Sequence, residues 1–428
     1  MEIDTLVSNQ NPQWTDENYL PKEAGWPKRE VFAAVEKWLN KRFILALTGV
    51  RRVGKSTLMK QIISRLIAKK LGRVVIYFSF ERVQLKLEPL LLQRIITHYL
   101  EEVLGEKIYE IKDRIYFFLD EIQNVPSWQE IIKMFYDQND NFKFVVSGSA
   151  SLFVKKAAAE SLAGRIIEIK VNPLSFGEYL TLVHPNFKVR SKNKAWVSAN
   201  IGTLNNYFEK YLRAGQFPEI ITQGMNYQQA WQYLETIEEK ITQQDLPKIF
   251  PIKHPEILSL ILSQIKDRPG QRIEYGEFAQ NAGLDQRTMA KYFDFLETGF
   301  LLFLCRNFGK KPLKSLRVAR KAYLVSPNFG DQAALPLLAE NYIFNLFYNR
   351  GFSVYFQKEK EIDFVVRDKK RLILAEVKFQ NEIKGEDTKN LEDFLSRKPA
   401  TAYLFTKKLF RPGKQINFIP ACLAEFYV

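Results

Sequence analysis

Cysteine and histidine are nearly missing from this chain. Two cysteines, Cys305 and Cys422, and three histidines, His98, His184 and His254, are scattered over 428 residues. That spacing excludes a disulfide framework and offers no zinc-ligand cluster. Also lacking is any apolar run long enough to span a bilayer, and the opening MEIDTLVSNQ is too polar for a signal peptide. No membrane partner is therefore expected, and the expected location is cytoplasmic. Negative charge is in deficit as well: 48 Asp and Glu stand against 63 Lys and Arg, a formal net charge of +15. An excess of that size favours a polyanion, either nucleic acid or an anionic membrane face. Apolar bulk is plentiful, 46% hydrophobic with 33 Phe and 19 Tyr, which argues for packed domains and against extensive disorder. The length exceeds what one hydrophobic core usually serves, so two or three domains are expected.

Gly49 to Ser56 reads GVRRVGKS, a complete G-x-x-x-x-G-K-[ST] phosphate loop. It follows the apolar, strand-like FILALT of Phe43 to Thr48 and precedes helical periodicity from Leu58 to Ala68. The glycines thus fall on a strand-to-helix turn, the context the motif requires. Gly49, Val50, Arg51, Arg52, Val53, Gly54, Lys55, Ser56 and Thr57 form the expected nucleotide cradle, in which backbone N–H groups and the helix N-terminus face phosphate. Lys55 is expected to reach the β/γ oxygens and the Ser56 hydroxyl to ligate Mg²⁺. ATP and Mg²⁺ are the cofactors expected. Arg51 and Arg52 either add charge near the phosphates or point outward.

Beyond the loop, apolar strands alternate with amphipathic helices, as in a parallel sheet covered on both faces. RVVIYFSF (Arg73 to Phe80) is one strand, and RIYFFL (Arg114 to Leu119) is another that ends at Asp120 and Glu121. Carboxylates at the carboxyl end of a buried strand lie at the crevice where such sheets bind ligands. There Asp120 can hold Mg²⁺ through water, and Glu121 can polarise the attacking water. Taken alone, the same pair is also an ordinary solvated acidic turn. A fourth strand, Lys143 to Val146, runs into SGSAS, where Ser149 is either a γ-phosphate sensor or a turn serine. Arg165, in LAGR, is the candidate phosphate-sensing or finger arginine, with a surface salt bridge as the alternative.

These segments in order, GVRRVGKST, FSFE, FFLDEIQNVPSW, VVSGSAS, LAGRIIEIKVNPLSFGEY and YLRAGQFPEI, resemble the successive motifs of a prokaryotic AAA-type P-loop ATPase family. Its members continue into a C-terminal domain of uncertain function related to the PD-(D/E)xK nucleases. The resemblance covers nearly all of the chain after about residue 25. It implies an AAA+-like core with Lys55 and Ser56 on phosphate and Mg²⁺, Asp120 and Glu121 as the Walker B pair, and Ser149 and Arg165 in sensor positions. A homo-oligomer is a further expectation, because a finger arginine acting in trans needs a neighbouring subunit. The family usually has two glycines before the phenylalanine and proline of the lid, whereas here Gly215 is followed by Gln216.

The stretch from His184 to Asn200 is polar and basic and reads as a mobile surface loop; Leu204 to Phe250 regains helical periodicity, as a helical lid. Pro255 to Phe308 has the order of a winged helix-turn-helix. Asp285 would cap its third helix, with Met289, Phe293 and Leu296 inward and Arg287 and Lys291 outward. Arg306, Lys310, Lys311, Lys314, Arg317, Arg320 and Lys321 follow without an intervening acidic residue. Such a wing suits sequence-independent contacts to the DNA backbone, although winged helices also serve protein contacts.

The last hundred residues open with a helix carrying Glu340, followed by strand-like VYFQ, EIDFVVR and LILAEVKF. Asp363, Glu376 and Lys378 fall on adjacent strands, and Glu376 and Lys378 share a face. Two carboxylates and a lysine at one sheet edge suit metal-assisted phosphodiester cleavage, with a second Mg²⁺ or Mn²⁺. The pattern resembles the core of the restriction-endonuclease fold, with Glu340 at its helical acidic position; alternation on a half-solvated strand gives the same letters. The expected architecture is α/β throughout. An N-terminal extension (1–25) precedes a P-loop AAA+-like parallel sheet (26–183), a basic loop and helical lid (184–250) and a winged helix-turn-helix (251–330). A restriction-endonuclease-like α/β domain (331–428) completes it. The activity expected is ATP hydrolysis with DNA binding, joined either to regulated cleavage or to a non-cleaving switch or an oligomeric remodeller.

Overall fold

Apolar runs become parallel strands in the amino-terminal part of the chain, the central three buried on both faces and the two edge strands only partly so. They are β1 (Ile44–Thr48), β2 (Val75–Ser79), β3 (Ile115–Asp120), β4 (Phe142–Gly148) and β5 (Ile166–Lys170), in the order β2-β3-β4-β1-β5 with every pairing parallel. The computed structural model describes residues 3–81, 90–148, 162–308, 320–357, 361–369 and 371–428. Two units divide the chain, Met1–Asn172 and Pro173–Val428. The first thus closes before the expected boundary at 183, because the helix Phe176–Val183 belongs to the second.

In the first unit, Phe117 on β3 stacks on Phe144 of β4 with centroids 4.8 Å apart, and Tyr99 meets Phe117 edge-on at 6.0 Å. Each such buried ring contributes about 1.5–3 kcal/mol. Lys143, fully buried on β4, donates to the carbonyls of Trp38 and Lys41 at 2.8 Å each and to that of Phe43. Its ammonium therefore fixes the turn that leads into β1 and the phosphate loop.

The open edge of β2 is sealed by side chains. Asn11 accepts from the Tyr77 N–H at 2.7 Å and donates to the Tyr77 carbonyl at 2.9 Å. Gln10 accepts from Ser79, while Gln13 and Trp14 donate to the Val75 carbonyl. Residues 10–14 thereby satisfy backbone groups that would otherwise invite edge-to-edge pairing.

The second unit begins with a doubly capped helix, Phe176–Val183. Ser175 and Glu178 form a capping box, and Glu425 from the far end of the chain accepts from the N–H groups of Phe176 and Gly177 at 3.0 and 2.6 Å. The expected loop from His184 to Asn200 is shorter than its composition suggests. Asn193 accepts from the Trp196 N–H at 3.0 Å and starts the helix Lys194–Ala214, which buries Val197. Gly215 ends that helix where a Cβ would stand 2.5 Å from Tyr211 Cα. The unusual Gln216 is buried and accepts from Ser326 at 2.8 Å, while its N–H donates to Asn328 at 2.8 Å. A second glycine there would forfeit the side-chain tie to the 320s.

Helices Pro255–Asp267, Tyr275–Asn281 and Gln286–Thr298 precede an antiparallel pair, β7 (Leu302–Asn307) and β8 (Arg320–Leu324), with the short β6 (Arg272–Ile273) beside β8. The helix Leu335–Asn349 then leads to β9 (Ser353–Gln357), β10 (Ile362–Asp368), β11 (Arg371–Lys378), β12 (Thr401–Thr406) and β13 (Ile416–Pro420). β7 pairs with β9 in parallel, so one mixed sheet runs β13-β12-β11-β10-β9-β7-β8-β6. The expected division at 330 cuts across this sheet and does not separate two structural bodies.

Candidate functional site

The phosphate loop joins β1 to the helix Lys55–Ile67 through a backbone that depends on glycine. Gly49 has φ +150°, and a Cβ there would lie 2.2 Å from the Val171 carbonyl oxygen. Gly54 at φ +96° ends the loop as the helix N-cap. Lys55 is buried inside the curl, its Nζ donating to the carbonyls of Gly49 and Val50 at 3.0 and 3.1 Å. Val50 and Val53 point into the core, so only their backbone is available to a ligand. Arg52 is exposed, whereas Arg51 lies 3.8 Å from Glu81. Arg29, missed from sequence, donates to the Val53 carbonyl at 2.8 Å and braces the loop from outside.

Asp120 closes β3 and is almost wholly buried. Tyr77 from β2 donates to its Oδ2 at 3.0 Å, and the Ser147 hydroxyl donates to its Oδ1. The Tyr77 phenol is pushed up strongly, first by burial and then by the adjacent Asp120. Glu121 holds φ +53°, a left-handed conformation that costs a residue with a Cβ about 1–3 kcal/mol. Its N–H donates to Ser147 Oγ at 3.3 Å, and its Oε2 accepts from Gln123 at 2.5 Å. Ser147 and Tyr77 carry weak signals in the sequence, a serine late in β4 and a tyrosine in the middle of β2. Ser149 lies outside the described residues.

These residues fit a triphosphate with Mg²⁺. The loop has a shape that a Cβ would fill, an ammonium sits within its curl, Ser56 and Thr57 open the helix, and Asp120 is held by two hydroxyls. Arg165 stands elsewhere. Its carbonyl accepts from Ile44, at the amino end of β1, whereas the loop leaves the carboxyl end beyond Thr48. A five-residue strand spans roughly 17 Å. Arg165 instead forks onto Asp137 at 3.1 and 3.3 Å, the salt bridge that was the alternative to a role at the phosphates.

In the second unit Glu340, Asp363, Glu376 and Lys378 come together as the sequence predicts. The Asp363 N–H donates to Glu376 at 3.1 Å, Val377 donates to Asp363 at 2.9 Å, and Lys378 pairs with Glu376 at 3.0 Å. Lys321, expected on a DNA-facing wing, also belongs to this cluster. Its Nζ is 3.0 Å from Glu340 and 3.8 Å from Asp363, and Tyr323 donates to Glu340 at 2.7 Å. Asp363 and Glu376 are held above the usual carboxylate range, first by burial. Lys321 and Lys378 are held above theirs by the neighbouring carboxylates, against the opposing effect of burial.

Arg320 also turns inward, donating to the Tyr275 hydroxyl at 2.7 Å. Both corrections have one cause: Arg320 and Lys321 begin β8, inside the sheet rather than at the tip of a hairpin. Lys310, Lys311, Lys314 and Arg317 lie outside the described residues. Arg287, Lys291 and Arg306 are exposed, and Met289, Phe293 and Leu296 are buried, as predicted. Among the described residues, no helix is long and apolar enough to cross a membrane.

Residues 41–180 match the AAA domain family. Residues 205–328 and 337–423 match two domains of unknown function, DUF8612 and DUF4143. The chain therefore carries an AAA-type P-loop ATPase domain, followed by two domains whose descriptions name no activity. An uncharacterized protein of Haemophilus influenzae is 27% identical over 363 residues, 82% of this chain and 86% of the relative. An uncharacterized protein of Methanocaldococcus jannaschii is 27% identical over 304 residues, 66% of this chain and 62% of the relative. Among solved structures, a Walker-type ATPase of Pyrococcus abyssi aligns at 16% identity with a TM-score of 0.44, covering 74% of this chain and 98% of that one.

Proposed function

We propose that this protein hydrolyses ATP at the Gly49–Thr57 loop and uses nucleotide state to set its grip on DNA, without cutting it. The observation that carries the ATP half of this reading is Lys55, an ammonium buried in a loop curl that only glycine permits. Bound MgATP would supply the phosphoanhydride and its neutralising metal. Lys55 would then bind the β/γ oxygens, Ser56 and Asp120 would hold the metal, and Glu121 would accept the proton of the attacking water. Gln123 donates to one oxygen of that carboxylate and orients it, leaving acceptor sites for the water. Arg165, remote from its own loop, is available to a neighbouring copy in an oligomer once Asp137 releases it.

The DNA half rests on the winged-helix order of residues 255–324. Arg287 and Lys291 stand outward on the helix Gln286–Thr298 above a buried apolar face, in a chain of net charge +15. The rival reading, metal-dependent cleavage, draws support from the convergence of Glu340, Asp363, Glu376 and Lys378; Lys321 among them weighs against it. DNA affinity measured with ATP, with ADP and without nucleotide should differ between states, and equal affinities would remove the switch. Nicking assays with Mg²⁺ and Mn²⁺ should show no cleavage. A cut that disappears in Asp363→Ala would establish the rival.

A further inference from the structure

The carboxylate cluster of the second unit is built around a cation that the chain itself supplies. Lys321 projects from β8 to within 3.0 Å of Glu340 and 3.8 Å of Asp363, and its side chain is only 15% exposed. The helix Leu335–Asn349 clamps that strand. Asn341 accepts from the Leu324 N–H and donates to the Leu324 carbonyl at 2.8 Å each, and Asn345 donates to the carbonyls of Leu324 and Val325 at 3.0 Å. The strand bearing Lys321 and the helix bearing Glu340 are therefore locked in register. Gly270 completes the wall: at φ +87°, a Cβ there would lie 3.0 Å from both Glu340 Oε1 and Tyr323, so the close approach of this turn depends on glycine.

Each carboxylate already has protein donors. Glu340 Oε1 accepts from Lys321 and Tyr323, Asp363 Oδ2 from Val377, and the two Glu376 oxygens from Lys378 and from the Asp363 N–H. A hexacoordinate Mg²⁺ or Mn²⁺ needs several convergent oxygens at about 2.0–2.1 Å. Here the space between Glu340 and Asp363 faces an ammonium, which donates to Glu340 Oε1, lies 3.8 Å from Asp363 Oδ1 and repels a second cation. Among the described residues, no group of three or more His, Cys, Asp or Glu is arranged to hold a metal. The donor set thus does not fit the divalent ion that its sequence pattern suggests.

We infer that Lys321 takes the place of a divalent metal between Glu340 and Asp363, so that the cluster is a metal-free ionic lock tying β8 to the helix Leu335–Asn349 and to β10 within the one mixed sheet. Its chemistry is structural: Lys321 and Lys378 offset two of the three carboxylate charges from within the chain. The inference stands apart from ATP hydrolysis and from DNA binding, which are read in separate assays.

Manganese binding to the full-length protein tests it. Nucleotide-free wild type and Asp363→Asn would be titrated with Mn²⁺ and the bound ion counted by electron paramagnetic resonance, so that any metal at the phosphate loop cancels in the difference. The expected result is the same stoichiometry for both, and one further Mn²⁺ equivalent in Lys321→Met that is lost in Lys321→Met/Asp363→Asn. Wild type binding one equivalent more than Asp363→Asn would overturn the inference. So would a folded Lys321→Met that takes up no additional manganese. Should Lys321→Met fail to fold, the comparison of wild type with Asp363→Asn decides alone.

Discussion

Tyr77 and Ser147 divide the two carboxylate oxygens of Asp120 between them, which presets the rotamer of a nearly buried acid before any ligand arrives. Removing one buried partner leaves the other group to bear its desolvation, about 1–3 kcal/mol. Tyr77→Phe should therefore lower stability toward urea by that amount, and it should reduce kcat more than it raises the KM for ATP. Unchanged stability and turnover would show Asp120 to be positioned by other means. Asp363 gives a pH signature. Burial, reinforced by Glu340 and Glu376, raises its folded-state pKa, so its stabilising effect is fully present below the unfolded value of about 3.9 and is lost as pH rises through the raised value. Melting temperatures followed upward from pH 4 should consequently fall less steeply in Asp363→Asn than in wild type. Lys321 and Lys378 act at the other end of the scale: their raised values preserve their contribution until pH passes the ordinary lysine range.

At the level of elements, the phosphate loop shows what a backbone requirement does to sequence. Gly49→Ala would drive a methyl group into the Val171 carbonyl, so the variant should lose ATP binding and melt at a lower temperature, whereas Thr57→Ser should be tolerated. Asn193→Ala removes the side-chain cap of Lys194–Ala214 and should cost about 0.5–2 kcal/mol, measurable by denaturation of the full chain. The parallel strands were legible because they are continuous apolar runs, and the loop because its glycines are a local necessity. Asp363, Glu376 and Lys378 were legible as a spacing on two strands. Lys321 was not, because its environment comes from Glu340 on a helix and Asp363 on β10, brought in by the pairing of β7 with β9. The first residues were likewise silent, since Asn11 and Gln13 matter only once β2 is known to be an edge. Arg165 stood between two readings because its partner Asp137, 28 residues earlier on another element, is not visible in the sequence.

For the molecule as a whole, the charge of +15 would make the proposed DNA binding a matter of counterion release, so affinity should fall steeply with salt. Arg287→Ala and Lys291→Ala should each weaken binding about equally on unrelated sequences and reduce the salt slope by about 1. Neither should change ATP hydrolysis measured without DNA. An unaltered slope in the double variant would move the DNA surface elsewhere. The nucleotide control proposed for DNA binding depends on ATP hydrolysis in the first unit, and that rests on Lys55. Steady-state phosphate release from ATP with Mg²⁺ should be readily measured for the purified full chain and should drop at least about 100-fold in Lys55→Ala, comparable to removing a principal transition-state contact. Wild-type turnover in folded Lys55→Ala would contradict the assignment of the Gly49–Thr57 loop as the site of hydrolysis.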